Sequence, residues 1–232
     1  MAVAFDAISA LQSTNNNQNP SWTHTPVGTP TAAVVFIWET RPGTIVSVTY
    51  GGAAMSLLAT AATDVVAYGL ANPAAGAQTV QVNGSSTQFR PNSFSLTFTG
   101  THLTTASCFT DVQTDTGTSA TAVDTLTITS QTDDLVVNFA CAELALTDLV
   151  MNEGADQTER GEGYGGNQET NLAVSTQPGA ASVAMDYSWT GGTASPWHHI
   201  AFNIVQAAAG GSILLFVSKD MASPVDMQDM RG

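Results

Sequence analysis

The amino-acid sequence predicts an all-β protein in which two antiparallel sheets pack face to face as a β-sandwich, with an arm at the C-terminus. Three observations lead to this prediction. Apolar and polar residues alternate along many short segments, turn residues separate those segments, and no segment sustains the spacing of an amphipathic helix. About a dozen such segments suit a sandwich, because two packed sheets bury all the alternating apolar faces.

The predicted strands are of two kinds. Residues 33–38 and 135–140 are almost continuously apolar, which predicts strands buried on both faces. Four other segments alternate and predict strands with one buried face. The apolar residues of these four are Val46, Val48 and Tyr50; Phe94, Leu96 and Phe98; Val183, Met185, Tyr187 and Trp189; and Ile200, Phe202 and Ile204.

Glycine and proline mark the turns between these strands. Gly51 and Gly52 stand between two apolar runs, which predicts a tight hairpin loop because both central residues of such a turn need a positive φ. Asn83-Gly84 predicts a similar turn. Further loops are predicted at Asn72-Pro73, Gln177-Pro178-Gly179 and Gly191-Gly192.

The composition disfavours several classes of partner. The 232 residues include 19 acidic and 5 basic side chains, a net charge of −14, and only 10% of the residues are charged, against roughly 25% in an ordinary soluble domain. So few basic residues do not form the Lys/Arg stripe that neutralises phosphates, so neither nucleic acid nor a membrane surface is expected as a partner. The first residues lack the features of a secretory signal, which predicts folding in the cytoplasm.

The sequence divides into a sandwich domain, residues 1–206, and a hinge with an apolar strand, residues 207–232. Residues 200–217 are almost uncharged, but polar residues and Gly210-Gly211 interrupt them, and they fall short of the ~20 apolar residues of a membrane-spanning helix. We interpret them as two short strands joined by an Ala/Gly hinge. The second strand is predicted to be an assembly arm, with the side chains Ile213, Leu214, Leu215, Phe216 and Val217.

The search for catalytic and metal-binding motifs predicts no catalytic residue, no metal ligand and no cofactor. There is no G-x-S-x-G, P-loop or H-E-x-x-H pattern. Adjacent His198 and His199 point to opposite faces of a strand, so they do not share a metal ion and are interpreted as strand-end residues. Cys108 and Cys141 fit no metal spacing; we interpret them as small buried hydrophobic residues, and a disulfide is the alternative.

The segment 152–170 is polar, glycine-rich and acidic, which predicts a long functional or mobile loop. Its carboxylates leave two interpretations open. They bind Ca²⁺, which takes several oxygen ligands, or they solvate the surface. Asp133-Asp134 is interpreted as the turn before a strand.

Aromatic side chains offer a platform for sugar rings. Trp38 and Trp189 follow the core periodicity of their strands, so we interpret them as core residues. Trp22 and Trp197 lie next to proline and loop residues. These two and Tyr164 are therefore the candidate glycan contacts.

Several of these runs together resemble the jelly-roll β-sandwich modules of phage virion proteins and bacterial surface proteins. The resemblance covers residues 5 to 205 and implies a jelly-roll-like sandwich that serves as a capsid decoration, fibre or adhesin module, without catalytic residues. The runs that carry it are Phe5-Asp6-Ala7, Ser21-Trp22-Thr23-His24, Val34-Val35-Phe36-Ile37, the run from Val46-Ser47-Val48 through Gly51-Gly52 to Met55, Leu70-Ala71-Asn72-Pro73 and Ser188-Trp189-Thr190.

The leading hypothesis is therefore a non-enzymatic virion structural protein, a capsid decoration (cement) or fibre subunit, assembled in the host cytoplasm. It is expected to form a homo-oligomer through its sandwich surfaces and its arm, and to contact other virion proteins. The alternative is a carbohydrate-binding adhesin module that binds surface glycans at a fibre tip or on a cell. A glycoside-active enzyme is the third hypothesis, because a pair of carboxylates is all that its chemistry requires.

Overall fold

The fold was analysed in a computed structural model that describes residues 1–39, 45–63, 65–87, 89–119, 121–143, 148–165 and 169–208. The prediction of an all-β antiparallel sandwich is confirmed. The described elements are the helix α1 (Thr105–Cys108) and the strands β1 (Ala4–Ile8), β2 (Gln12–Ser13), β3 (Ser21–His24), β4 (Ala32–Trp38), β5 (Ile45–Tyr50), β6 (Ala53–Ala54), β7 (Ser56–Ala61), β8 (Val65–Ala71), β9 (Gln78–Gly84), β10 (Asn92–Thr99), β11 (Phe109–Gly117), β12 (Leu126–Ile128), β13 (Leu135–Ala142), β14 (Val150–Glu153), β15 (Thr158–Gly165), β16 (Thr170–Pro178), β17 (Val183–Met185), β18 (Tyr187–Thr190) and β19 (Trp197–Ile204).

These strands build four stacked layers, two more than a simple sandwich contains. Sheet I has the strand order β3-β9-β5-β6. Sheet II has the order β1-β10-β4-β8-β7, with β2 also paired to β10, and sheet III has the order β11-β19-β13-β16-β15. Layer IV consists of two ladders, β12-β17 and β14-β18. Three apolar interfaces separate the four layers.

The four layers arise from a repeated topology. The first unit, β1 to β10, forms sheets I and II; the second unit, β11 to β19, forms sheet III and layer IV. When the strands of each unit are taken in chain order, those of sheet II correspond in position to those of sheet III. The strands of sheet I correspond in the same way to those of layer IV. Each unit is an antiparallel sandwich of two layers. The chain is therefore two tandem sandwiches.

The central interface lies between sheets II and III. Its largest apolar cluster combines side chains from both units, and Phe36 of β4 stacks on Phe139 of β13 with ring centroids 4.7 Å apart. Both rings are fully buried. A second cluster, which includes Tyr50 and Val80, lies between sheets I and II, and two smaller clusters lie between sheet III and layer IV. The two units are thus joined by a core as well as by the chain.

Both faces of strand β10 are buried, whereas the alternating sequence predicted one buried face. Phe94, Leu96 and Phe98 face the central interface as predicted, but Ser95 and Thr97 on the opposite face are also buried, between sheets I and II. A sheet covered on both sides buries its polar alternating positions too, so these hydroxyls need partners inside the protein. The continuously apolar β4 and β13 are buried on both faces, as predicted.

The predicted turns are largely as expected. Gly51 and Gly52 have φ values of 57° and 81° and link β5 to β6, as the hairpin prediction requires. Asn83-Gly84 was predicted wrongly as a turn, because both residues lie within β9 and pair with β5. Gln177-Pro178 was predicted wrongly as part of a loop, because both residues lie within β16 and pair with β13. Asp133, with φ 73°, forms the turn before β13 as predicted.

The described sandwich closes at its C-terminal end. Ile204 is the last residue of β19, Gln206 forms a β-bridge with Thr101, and the backbone NH of Ala207 donates to the carbonyl of Gly100. The predicted arm, Ile213 to Val217, lies outside the described residues.

Candidate functional site

The three candidate glycan contacts have different environments, and two of them are core residues. Trp22 alternates inward on β3, is 9% exposed, and its Nε1 donates to Ser95 Oγ at 2.9 Å. Trp197 is 1% exposed and packs between sheet III and layer IV. Because both indoles are buried, the structure contradicts the hypothesis that either offers a ring face to a sugar. Tyr164, on β15, is half-buried.

The position of Trp197 depends on a small residue opposite it. Gly117 pairs with Trp197 across β11 and β19, and a Cβ atom at Gly117 would lie 2.4 Å from Cζ2 of the indole. The proline and loop residues next to Trp197 in the sequence had predicted an exposed ring. Cross-strand pairing, which a single segment of sequence does not reveal, decides the burial of this ring.

A chain of hydrogen bonds runs through the interface between sheets I and II. Beyond Trp22, Ser95 Oγ lies 2.9 Å from His24 Nδ1, and His24 Nε2 lies 3.1 Å from Thr97 Oγ1. Thr97 Oγ1 donates to Asp6 Oδ2 at 2.7 Å. Because the threonine proton is committed to Asp6, Thr97 accepts from His24 Nε2, and the neutral ring then accepts the Ser95 proton at Nδ1.

These hydrogen bonds give partners to buried polar groups, and the packed sheets exclude solvent from them. Burial lowers the pKa of His24, outweighing the attraction of the Asp6 carboxylate, so the neutral ring is favoured. Ser95 beside an imidazole has the composition of an activated nucleophile, but His24 is 1% and Ser95 0% exposed. In this conformation no substrate reaches the hydroxyl. The arrangement fixes sheet I on sheet II.

A second polar cluster joins the two units at the end of the central interface. Glu143 Oε1 accepts from Trp38 Nε1 at 2.7 Å and lies 2.7 Å from His198 Nε2. All three side chains are buried. Trp38 belongs to sheet II, whereas Glu143 follows β13 and His198 lies on β19, so one carboxylate oxygen connects the first unit to the second.

The two adjacent histidines face opposite sides of sheet III, as predicted, but both are buried within the sheet packing rather than exposed at a strand end. His199 faces layer IV, where Nδ1 lies 3.1 Å from the carbonyl oxygen of Asp124 and Nε2 contacts Oδ1 of Asn138. Asn138 in turn donates to Gln157 Oε1 at 3.0 Å. Burial lowers the pKa of His199 to about 4. This lowered pKa favours the neutral ring at physiological pH, and a neutral ring donates to only one of the two oxygens.

An open polar cleft lies at the other end of sheet III. It has a volume of about 380 Å³ and is lined by hydroxyl, amide and carboxylate side chains, among them Asp111, Ser130, Asp134 and Asn203. Asn203 Nδ2 donates to Asp134 Oδ2 at 2.9 Å and Ser130 Oγ donates to Asn203 Oδ1 at 2.7 Å, so the buried walls are held in place. Asp111, at a bulge with φ 44°, accepts from the backbone NH of Thr129, which lowers its pKa. No segment of sequence predicts this cleft, because β11, β19 and the loop between β12 and β13 bring its residues together from distant positions.

The acidic segment 152–170 is mostly strand and not the long loop that was predicted. β14 and β15 occupy much of it, joined by a turn at Asp156, with φ 65°. Glu162 accepts from the backbone NH of Met151 at 2.7 Å; its burial, reinforced by neighbouring carboxylates, raises its pKa. Within the described residues no group of three or more His, Cys, Asp or Glu side chains is arranged to hold a metal ion.

The two cysteines form no disulfide and are buried, as the first interpretation had it. Both face the central interface, Cys108 at the end of α1 and Cys141 on β13. Burial raises the pKa of the Cys108 thiol to about 11. They act as small apolar residues.

The fold and these sites define a tandem antiparallel β-sandwich protein whose polar clusters mainly bind its own layers together. Comparisons of the chain with protein-family models, with curated proteins and with solved structures give no match. No helix in the described part of the chain is long and apolar enough to cross a membrane.

Proposed function

We propose that this chain is a non-enzymatic structural protein of a virion, a capsid decoration or fibre subunit that self-associates and contacts other virion proteins. The observation that carries the proposal is the position of the apolar run 213–217. It follows a sandwich whose described layers are already closed at Ile204, Gln206 and Ala207. The resemblance to phage virion modules supports the same role.

An apolar segment behind a closed sandwich needs a partner. Left unpaired, five consecutive apolar residues would favour aggregation. Strand addition to a neighbouring subunit would satisfy the backbone groups and bury alternate side chains. We therefore assign the assembly arm to Ile213, Leu214, Leu215, Phe216 and Val217, with Ala207 to Gly211 as its hinge.

Light scattering on the full chain tests this proposal. Leu214→Asp with Phe216→Asp places two carboxylates on one face of the proposed arm strand and should convert a defined oligomer into smaller species. Ser218→Asp with Met221→Asp adds the same charge beyond the apolar run and is the matched control. Variants that keep the oligomer of the unmodified chain would contradict an assembly arm.

A carbohydrate-binding adhesin module is the second candidate, and the polar cleft is the observation that favours it. Sugar hydroxyls are recognised by carboxylates, amides and hydroxyls, which line this cleft at Asp111, Ser130 and Asn203. A glycan array on the full chain and on Asp111→Ala tests it, with Tyr164→Ala as the test of the remaining aromatic candidate. Binding that disappears with Asp111→Ala would favour the adhesin, and an array without hits would count against it.

A further inference from the structure

The charge of this protein is divided unequally between its two units. Residues 1–100 contain three acidic and two basic side chains, whereas residues 101–208 contain thirteen acidic and one basic. The net charge is therefore −1 in the first stretch and −12 in the second. Asp124, Asp148, Asp156 and Glu159 are exposed on the second unit.

The outward face of sheet I, at the neutral end of the stack, is uncharged and polar. On β3, on β9 and on β5 from Ser47 onward, every second residue is buried against sheet II or half-buried, including the buried Trp22, Val48 and Val80. The alternation breaks at the bulge between Ile45 and Ser47, where Val46 is 65% exposed although its alternation with Val48 and Tyr50 had predicted a buried side chain. The alternate residues face outward, and all seven are serine, threonine, asparagine or glutamine. This uncharged polar face consists of Ser21, Thr23, Ser47, Thr49, Thr79, Gln81 and Asn83.

The strand register places these side chains in rows. Gln81 of the central strand β9 pairs with Ser21 of β3 on one side and with Thr49 of β5 on the other. Along the face, Gln81 Nε2 donates to Asn83 Oδ1 at 3.1 Å and Asn83 Nδ2 donates to Ser47 Oγ at 2.9 Å. The two amides are thereby oriented before any partner arrives, which lowers the entropy cost of a contact.

We propose that the uncharged polar face of sheet I binds the same face of a second copy of this chain. The inference rests on the proposed self-association and assigns the surface that mediates it. Two copies that met through their second units would bring two charges of −12 together. Two copies that meet through sheet I bring no ionised group of this face into contact, so they lose no hydration of charge and suffer no direct repulsion.

Hydrogen-bonding chemistry also favours a second copy as the occupant. In a two-fold contact the same patch must be complementary to itself. Hydroxyl and amide side chains both donate and accept, so a face made of them pairs with its own copy, whereas ionised carboxylates only accept. The acidic second unit then points away from the contact on both copies.

Charge placed on this face provides the test, in the full chain. Thr49→Glu with Thr79→Glu should raise the dissociation constant of the dimer at least about tenfold, because like charges meet across the contact. Raising the salt concentration should reverse part of this loss, since salt screens exposed charges. Thr127→Glu with Ser188→Glu adds the same charge to exposed positions of layer IV and should leave the dissociation constant unchanged.

Mixing charge variants makes the test specific for face-to-face contact. Thr49→Lys with Thr79→Lys should also dissociate alone, and native mass spectrometry of an equal mixture should show heterodimers of the Lys and Glu variants.

An unmodified chain that is monomeric, or a Glu variant that dimerises as tightly as the unmodified chain, would overturn the inference. If the Glu variant keeps its assembly while Leu214→Asp with Phe216→Asp loses it, the arm is the contact and this face is not. If the Glu variant loses its assembly while Leu214→Asp with Phe216→Asp keeps it, the face is the contact and the arm proposal fails.

Discussion

Protonation of His199 should limit the stability of this protein in mild acid. The ring is fully buried between sheet III and layer IV, and this burial lowers its pKa from 6.5 to about 4. In the unfolded chain the ring regains its ordinary pKa and binds a proton at a higher pH than the folded chain does. The contribution of the neutral ring to the free energy of unfolding is therefore present above pH 6.5 and is lost as the pH falls towards 4.

The size of the effect follows from the displacement of the pKa. A change from 6.5 to about 4 corresponds to about 3 kcal/mol of unfolding free energy, most of which should be lost between pH 7.5 and 4.5. His24, whose pKa burial also lowers, contributes in the same direction. Its contribution, and that of the carboxylates, cancels when the unmodified chain and a His199 variant are compared at each pH.

Urea unfolding followed by tryptophan fluorescence is the assay, since all four tryptophans are buried. His199→Gln removes the titrating group and keeps a polar side chain near Asn138 and Asp124. We expect the variant to be less stable at pH 7.5 but to lose about 2 to 3 kcal/mol less than the unmodified chain on going to pH 4.5. His102→Gln controls for the removal of a histidine as such. Parallel pH profiles of His199→Gln and the unmodified chain would refute the reasoning.

Three further predictions concern the central interface and its neighbours. Phe139→Ala removes a ring stacked at 4.7 Å on Phe36 and should cost about 3 to 5 kcal/mol in urea unfolding, in a single transition because the core belongs to both units; two separate transitions in the unmodified chain would contradict this. Gly117→Ala places a methyl group 2.4 Å from the Trp197 ring and should cost about 1 to 3 kcal/mol in the same assay, whereas a neutral effect would show that the indole moves freely. Cys108 and Cys141 should react with an aromatic disulfide reagent at pH 8 only after unfolding, since both thiols are buried; rapid reaction of the folded chain would show that the interface opens.

The overall class and many strands could be predicted because they depend on local pattern. Continuous apolar runs predicted β4 and β13, and the alternation of Val183 to Trp189 predicted β17 and β18. The duplication was missed although the sequence contains a signal for it. Asn72-Pro73 directly follows β8 and Gln177-Pro178 ends β16, and each precedes alternating strand sequence, β9 in the first unit and β17 with β18 in the second.

The sites were harder to predict than the strands, because they depend on residues far apart in the chain. Trp22 and Trp197 were expected at the surface from their neighbours in sequence, but Ser95 and Gly117 determine where the two indoles lie. The polar cleft likewise combines Asp111 of β11, Asn203 of β19 and Ser130 of the loop between β12 and β13. No pattern within a window of sequence records such juxtapositions.

The sequence by itself determined that this protein is built of β-strands, that it is strongly acidic, and that its apolar residues suffice for buried sheets. Those properties follow from period-two alternation and composition, which each segment carries alone. Only the tertiary structure decided that there are four layers in two tandem units, that Glu143 links Trp38 to His198 between them, and that one outer sheet is uncharged while the opposite end is acidic. The physical reason is that layer order, burial of polar side chains and the distribution of charge over a surface all depend on which strands pair and which faces meet.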